Sequence, residues 1–341
     1  MTIPASILDL TPVPSGVGAR RALENSCALA VAAEAAGYRR YWLAEHHNSP
    51  TMACPSPEIM IAHIASATST IRVGSGGIML PNHSPLRIAE AFRVLEALYP
   101  GRIDLGIGRA PGTDGVTAYA LRRGPGAADE FPQQLAELLA YTESGFPPDH
   151  PFAAVAAEPH EIPLPPIWIL GSSDYGAQVA AMLGVGFAFA RHLNPRGAAD
   201  AIAVYRDRFT PTGRSDGPRV ILATSAICAD TSARADDLAA SMALGVIRLR
   251  SGRAAPLPTP DEALAYPYDE GELDQVRRYR RAQVVGTADE VSDELRELVR
   301  ATAADELMLM AMVHSHEERV HSYRLIADAL GLAGSPAAAG R

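Results

Sequence analysis

Residues 71–109 read IRVGSGGIMLPNHSPLRIAEAFRVLEALYPGRIDLGIGR, and this stretch predicts a strand, a helix and a second strand in succession. Apolar side chains recur with helical spacing over Pro85–Leu98. The flanking runs 71–80 and 102–109 are short and apolar, which is typical of buried strands. A strand–helix–strand unit of this kind builds a parallel sheet with helices packed outside it.

The same alternation continues along the chain and predicts the overall fold. Eight apolar strands, each followed by a helical pattern, are expected at residues 5–10, 38–46, 71–80, 102–109, 167–170, 186–190, 219–229 and 306–313. Eight such units predict an α/β fold, a (β/α)8 TIM barrel; an open doubly wound sheet is the alternative.

The barrel is expected to form one domain over residues 1–335, with insertions after strands four and seven. The second insertion contains the proline-rich stretch 251–272, whose length and irregular pattern predict a mobile lid. The tail 336–341 is expected to be disordered.

Composition excludes several classes of protein. Lys and Arg together number 30 and Asp and Glu 39, for a net charge of −9, and every basic residue is Arg. Without lysine there is no Schiff-base chemistry and no P-loop NTPase. The acidic balance argues against nucleic acid or an anionic membrane as a partner. The sequence has no secretory signal pattern and no apolar run long enough to span a bilayer, so we expect a cytoplasmic protein.

Two histidines, His46 and His47, end the second predicted strand. Imidazoles titrate near neutral pH and suit proton transfer or hydrogen bonding to a developing oxyanion. Neighbouring strand residues point to opposite faces, so the pair is poorly arranged to share a metal ion, and we expect no metal. A catalytic role for at least one histidine is the favoured interpretation; a structural pair is the alternative.

Glycines interrupt the third and fourth strands. Gly76 and Gly77 predict either a bulge, a tight bend or the close approach of a flat ligand to the backbone. In the fourth strand, Asp104, Gly106 and Gly108 share one face, which is expected to leave room inside the barrel.

Three residues at strand ends favour an anion site. Arg109 ends strand four, while Ser172 and Ser173 stand between strand five and the next helix. Free N–H groups at a helix N-terminus and a bidentate guanidinium are suited to a phosphate. A rim ion pair for Arg109 and a simple helix cap at the serines are the alternatives.

Three motifs together resemble the bacterial luciferase-like flavin monooxygenase family. They are YWLAEHH at 41–47, VGSGGIMLP at 73–81 and GRIDLGIGR at 101–109, and their order and spacing agree with that family. The resemblance is densest over residues 38–115 and implies a (β/α)8 barrel that uses reduced FMN as cosubstrate to activate O2.

The resemblance also implies roles for particular residues. His46 corresponds to the position implicated in catalysis, and His47 lies beside it. Arg109 and Ser173 correspond to phosphate-contacting positions, and Gly76-Gly77 to a bulge, often with a cis peptide, that packs against the flavin ring. The full set of expected cofactor-binding residues is Ser75, Gly76, Gly77, Gly108, Arg109, Ser172, Ser173 and Gly176. Gly108 stands where the light-emitting subunit has a reactive cysteine, so light emission is not expected.

The function expected from the sequence is therefore a flavin-dependent monooxygenase that oxidises a small organic substrate with reduced FMN and O2. A separate flavin reductase is the expected source of reduced FMN, because no dinucleotide fingerprint is present. A homodimer is expected. The alternatives are an F420-dependent oxidoreductase on the same barrel and a flavin-binding accessory protein without turnover.

Overall fold

Eight parallel strands close into a barrel in the computed structural model, which describes residues 3–124, 126 and 129–333. The strands of the barrel are β1 (Ala5–Asp9), β2 (Arg40–Leu43), β3 (Arg72–Ser75), β5 (Ile103–Gly108), β6 (Ile167–Gly171), β7 (Gly186–Ala190), β8 (Val220–Cys228) and β10 (Glu306–Met310). Two short strands pair with them in addition: β4 (Ile78–Met79) with β5, and β9 (Val284–Gly286) with β8. The β8–β10 pairing closes the ring, with Glu306 opposite Ile221 and Met310 opposite Ser225. The predicted (β/α)8 barrel is confirmed.

The helices surround the barrel and fill its two insertions. They are α1 (Ala19–Ala35), α2 (Pro57–Ala67), α3 (Pro85–Leu98), α4 (Gly115–Ala120), α5 (Phe131–Leu139), α6 (Asp174–Leu183), α7 (Ala198–Arg208), α8 (Ser232–Arg250), α9 (Pro260–Ala265), α10 (Glu270–Arg281), α11 (Ala288–Thr302) and α12 (His316–Leu330). The first insertion, after β5, carries α4 and α5, and the second, after β8, carries α9, α10 and β9.

Successive side chains of each strand point to opposite faces of the sheet and so contribute to two separate hydrophobic cores. Ile7, Tyr41 and Leu105 point outward and join the large core between strands and helices. The residues of alternate parity point into the barrel and form a second cluster: Leu8, Trp42, Ala44, Trp168, Ala188, Ile221, Ala223, Met308 and Met310. The barrel is therefore packed along its axis, and a ligand must sit above this cluster.

Buried ion pairs close the amino ends of the strands. Arg40, the first residue of β2, contacts Asp104 at 2.7 Å and Glu306 at 2.9 Å. Arg72, the first residue of β3, reaches the other oxygen of Asp104 at 2.6 Å. Each buried carboxylate thus has guanidinium partners, which offsets the cost of removing the charges from water. The open end of the barrel is the opposite one.

The glycines of β3 and β5 accommodate close packing, and the expected free space inside the barrel is absent there. A Cβ on Gly74 would stand 2.5 Å from the Asp104 carbonyl oxygen and 2.9 Å from Trp42 Nε1. A Cβ on Gly106 would overlap the Ser75 carbonyl oxygen of the neighbouring strand. These positions are glycine because backbone and indole already occupy the space.

The stretch 251–272 is more regular than the sequence predicts. It contains α9 and the beginning of α10, and its buried Leu257 exchanges backbone hydrogen bonds of 2.8 Å with Val13 and Ser15 of the β1–α1 loop. Its mobility stays a prediction. The predicted tail 336–341 lies outside the described residues.

Candidate active site

A buried carboxylate, Glu45, organises the loops at the carboxyl end of the barrel. It follows β2 and accepts hydrogen bonds from the backbone N–H of Met79 at 2.8 Å and from Asn82 Nδ2 at 3.0 Å. His47 Nε2 lies 2.8 Å from its Oε1, and His83 Nε2 lies 3.0 Å from both oxygens. Four groups from two loops therefore converge on one carboxylate.

The charged groups in this cluster stabilise one another's ionised forms. Burial alone would raise the pKa of Glu45, but hydrogen bonds from His83, Met79 and His47 hold it below its usual value. Burial likewise works against the charged form of His83, yet the Glu45 carboxylate raises the pKa of His83 above its ordinary value. The pair Glu45–His83 is consequently favoured in its ionised form.

His46 differs from its neighbours because its ring is buried without a satisfied Nδ1. No described residue offers that nitrogen a hydrogen bond. Burial lowers the pKa of His46 to about 4; the charges of His47 and His192 act in the same direction, while Glu45 and a hydrogen bond to the Ala44 backbone oppose them. His46 is therefore neutral at pH 7, with a ring nitrogen available to a ligand. A cavity of about 420 Å³ opens beside it, lined by residues of the following loop.

His47 faces the other way, as strand alternation predicts. Its ring is bound to Glu45, and its backbone N–H and carbonyl bind Gly112 and Thr113 of the β5–α4 loop. The structure therefore brings His46 and His47 into one loop but gives their side chains different surroundings. His47 fastens the β2 loop to the β5 loop.

The residues expected to hold an anion meet at the start of α6. Arg109 follows β5, is exposed, and its guanidinium carbon lies 4.2 Å from the ring centroid of Tyr175 in the first turn of α6. No carboxylate of the described residues pairs with Arg109. Ser173 is the N-cap of α6, and its hydroxyl makes no capping bond. The backbone carbonyl of Ser172 accepts a hydrogen bond from Asn194 Nδ2 at 2.8 Å.

The remaining predicted cofactor residues, Ser75, Gly76, Gly77, Gly108 and Gly176, are all buried. The peptide Gly76-Gly77 is cis and separates β3 from β4, so the predicted strand 71–80 is two short strands. Gly108 ends β5, and Gly176 is buried in the first turn of α6. Ser75 is engaged elsewhere, because its hydroxyl both donates to and accepts from the backbone of Gly106.

The sequence-based prediction gives no role to Glu45, Asn82, His83, Tyr175 or His192. His192 stands directly beyond β7, so the general rule that strand ends carry the chemistry could have found it. His83 and Asn82 follow a short turn after β4, and only their contact with Glu45 reveals them. Three side chains that could hold a metal converge elsewhere, at the exposed Glu158, His160 and Glu161.

The exposed groups of this region can hold an anion. An exposed guanidinium without an acidic partner stands beside the N-terminus of a ten-residue helix, where N–H groups are free. The Gly76-Gly77 peptide is buried at the end of β3, and the buried His46 ring has an unpaired Nδ1. The guanidinium and the helix N-terminus suit an anion, and the imidazole suits a polar reaction partner.

Comparison with known proteins agrees with this arrangement. A sequence profile described as luciferase-like monooxygenase matches residues 3–306. The chain is 42% identical to a luciferase-like monooxygenase of Escherichia coli strain K12, covering 96% of this chain and 97% of that protein. It is 33% identical to the N-acetyl-S-alkylcysteine monooxygenase of Bacillus subtilis, over 95% and 97%. The crystal structure of apo-MsnO8 superposes with a TM-score of 0.88 at 37% identity, over 98% and 99%.

Fold and site thus define an oxidoreductase built on a (β/α)8 barrel. The chain belongs to the luciferase-like monooxygenase family.

More distant structures share the barrel and differ in cofactor. They include the FMN-bound oxygenating component of 3,6-diketocamphane monooxygenase from the CAM plasmid of Pseudomonas putida, at 18% identity and a TM-score of 0.72. An F420-dependent secondary alcohol dehydrogenase has a TM-score of 0.71 at 14% identity. At these identities the likeness shows the fold alone. Within the described residues, no helix combines the length and apolar character needed to cross a membrane.

Proposed function

We propose that the protein is a monooxygenase that uses reduced FMN and O2 to oxidise a small organic substrate, with reduced FMN supplied by a separate reductase. The observation that carries the proposal is the exposed Arg109 guanidinium, stacked on Tyr175 at the start of α6 and without a carboxylate partner among the described residues. A guanidinium in this position suits the doubly charged phosphate of FMN.

We call the carboxyl end of the barrel around Gly76, Arg109 and Ser173 the mouth. Each part of it has a role in this proposal. Arg109, the N–H groups of α6 and the Ser172 and Ser173 hydroxyls hold the phosphate, while the Gly76-Gly77 backbone supports the ring. Bound reduced FMN supplies the electrons that activate O2. His46 holds or moves a proton at Nδ1, which its neutral state at pH 7 permits.

An anaerobic titration with reduced FMN tests the cofactor. Arg109→Ala is expected to weaken binding by about tenfold to 100-fold, since a charge-assisted hydrogen bond contributes about 1.5–3 kcal/mol. The matched control is Arg300→Ala, which removes an exposed guanidinium from the last turn of α11, far from the mouth. Equal affinity of the Arg109 variant and the wild type would refute the phosphate assignment.

Turnover tests the role of His46. N-acetyl-S-alkylcysteines are the first substrates to assay, because a relative that is 33% identical is named for them. His46→Ala is expected to preserve reduced FMN binding and to slow product formation by about 100-fold to 10,000-fold, the range of general acid–base catalysis. Normal turnover by this variant would contradict the assignment.

A deazaflavin, F420, is the second candidate cofactor. The observation that favours it is a second guanidinium, Arg123, close enough to Arg109 for its pKa to be lowered by burial and by that charge. A broad basic rim suits the long anionic tail of F420. Tight F420 binding without binding of reduced FMN would select hydride transfer over oxygenation. Binding of reduced FMN without any turnover would favour a flavin-binding accessory role.

We also propose a homodimer that forms through the α2–α3 groove, the apolar channel between those two helices. Ile59, Val94 and Leu98 line it with 67%, 46% and 62% of their surfaces exposed, and it encloses about 880 Å³. One guanidinium, Arg87, and four carboxylates, Glu58, Glu90, Glu158 and Glu161, also line it, so a twofold axis could pair Arg87 with a carboxylate of the second copy. Leu98→Glu is expected to give a monomer in light scattering; Leu264→Glu, on the exposed face of α9, is the control. A wild-type monomer would refute the proposal.

A further inference from the structure

We infer that the working partner of His46 is His192, so that two imidazoles from opposite sides of the barrel face one ligand. The sequence places His47 beside His46, but the ring of His47 is bound to Glu45. The inference deepens the proposed function, because it names the groups that would handle protons for the bound substrate.

Strand parity supports the pairing. Trp42 and Ala44 point into the barrel from β2, and His46 has the same parity two residues further on. Ala188 points into the barrel from β7, and His192 lies four residues further along the chain, at a position of the same parity. Backbone pairing extends one residue past each strand, since Ala44 N–H binds Asp9 and Arg191 N–H binds Ala223. His46 and His192 follow directly in the loop after β2 and in the turn after β7.

The order of strands puts the two histidines on opposite walls. Around the closed ring, β2 is followed by β3, β5, β6 and β7, while β1, β10 and β8 complete the other side. β2 and β7 are therefore four positions apart in a ring of eight. Side chains that point inward from opposite strands meet over the axis, above the packed cluster of Trp42 and Trp168.

Each ring has an uncommitted nitrogen. His46 Nδ1 is buried and unpaired among the described residues. His192 Nδ1 lies 3.4 Å from the carbonyl oxygen of Ala223, and no described residue contacts its Nε2. Because a carbonyl only accepts, Nδ1 carries the proton in the neutral ring and Nε2 is left as an acceptor. Each of the two rings thus has one nitrogen without a hydrogen bond among the described residues.

The two rings influence each other electrostatically. Burial lowers the pKa of His192, opposed by the Ala223 carbonyl, and the charge of His192 contributes to the low pKa of His46. The other charged groups that face His46 are Glu45 and His47. At neutral pH both rings are uncharged, so they can exchange a proton with a hydroxyl, thiol or acidic group of a substrate without a standing charge.

The first experiment uses the protein without ligand. Ring nitrogens are titrated by ¹⁵N NMR in the wild type, His192→Asn and the control His321→Gln, whose exposed ring pairs with Asp230. Asparagine keeps a donor to the Ala223 carbonyl and removes the second nitrogen. The pKa of His46 is expected to rise by about half a unit to one unit in His192→Asn, as removal of a neighbouring charge in a partly solvated cleft predicts. An unchanged His46 titration would overturn the inference.

A second variant separates ligand contact from structural support. Glutamine at position 192 can place a polar atom near the position of Nε2 while losing the bond to the Ala223 carbonyl; asparagine does the reverse. For a ligand-facing role, reduced FMN oxidation by O2 and its pH profile should be nearer to wild type in His192→Gln than in His192→Asn. The opposite order would mean that His192 only supports the backbone. Failure to bind reduced FMN would refute the proposed function, while the ligand-free titration still decides the inference.

Discussion

Replacing Glu45 by glutamine tests whether one carboxylate holds the active-site loops together. The side chain is fully buried and accepts from Met79, Asn82, His47 and His83. Glutamine keeps one oxygen but turns its NH2 group toward donors, and it leaves the His83 charge without a partner. Breaking a buried charged pair in this way costs about 3 kcal/mol.

The expected loss can be measured as a melting temperature. Unfolding entropy of about 2.1 cal/mol/K per residue gives about 0.7 kcal/mol/K for 341 residues, so about 3 kcal/mol corresponds to about 4 °C. The control is Glu297→Gln, since Glu297 is 66% exposed and its pair with Arg300 contributes under about 0.5 kcal/mol. Calorimetry of both variants against the wild type is the assay.

The same variant has a characteristic pH dependence. The lowered pKa of Glu45 means that its stabilisation is present above the unfolded value of 4.5 and is lost as the pH falls through the folded pKa. The raised pKa of His83 means that its stabilisation is present below 6.5 and is lost as the pH rises through the folded pKa. The difference in melting temperature should therefore be greatest between pH 4.5 and 6.5. A difference below about 1 °C, or one independent of pH, would refute the reasoning.

Two further substitutions test the packing of the barrel. Gly106→Ala should lower the free energy of unfolding by about 3 kcal/mol in urea titration, because its Cβ would overlap a neighbouring strand's carbonyl oxygen, whereas Gly115→Ala meets open space and should not destabilise. Arg319→Met leaves the buried Asp9 carboxylate without its 2.7 Å partner and should cost about 3–5 kcal/mol at pH 7, with the exposed Arg300→Met as control. Arg319 helps to hold the pKa of Asp9 down, so the loss should shrink toward low pH; a constant loss would contradict this.

The fold could be predicted because its signals are local. Apolar runs and helical spacing are patterns of consecutive residues, and these patterns predicted the positions of all eight barrel strands. The helices within 251–272 were missed because four prolines dominate that stretch. Their start signals are nevertheless present: Pro260 opens α9 behind Thr259, and Asp269 with Glu272 forms a capping box for α10.

The site could be predicted only in part, because it depends on which loops meet. Strand ends indicated His46, Arg109 and the serines, and the structure brings Arg109 to the start of α6. In the Glu45 cluster, a buried carboxylate contacts residues 34 to 38 positions further along the chain. No periodicity in the sequence indicates such a contact. The pairing of His46 with His192 similarly depends on the closure of the ring.

The packed interior of the barrel gives the protein an optical reporter. Its two tryptophans, Trp42 and Trp168, lie edge to face there with ring centroids 5.7 Å apart. A Cβ on Gly76 would stand 3.1 Å from Trp42 Cβ, so the indoles lie directly beneath the mouth. All indole fluorescence of the chain therefore arises from one place. A yellow chromophore seated above it would quench that emission by energy transfer, and occupancy could be followed in the unlabelled protein.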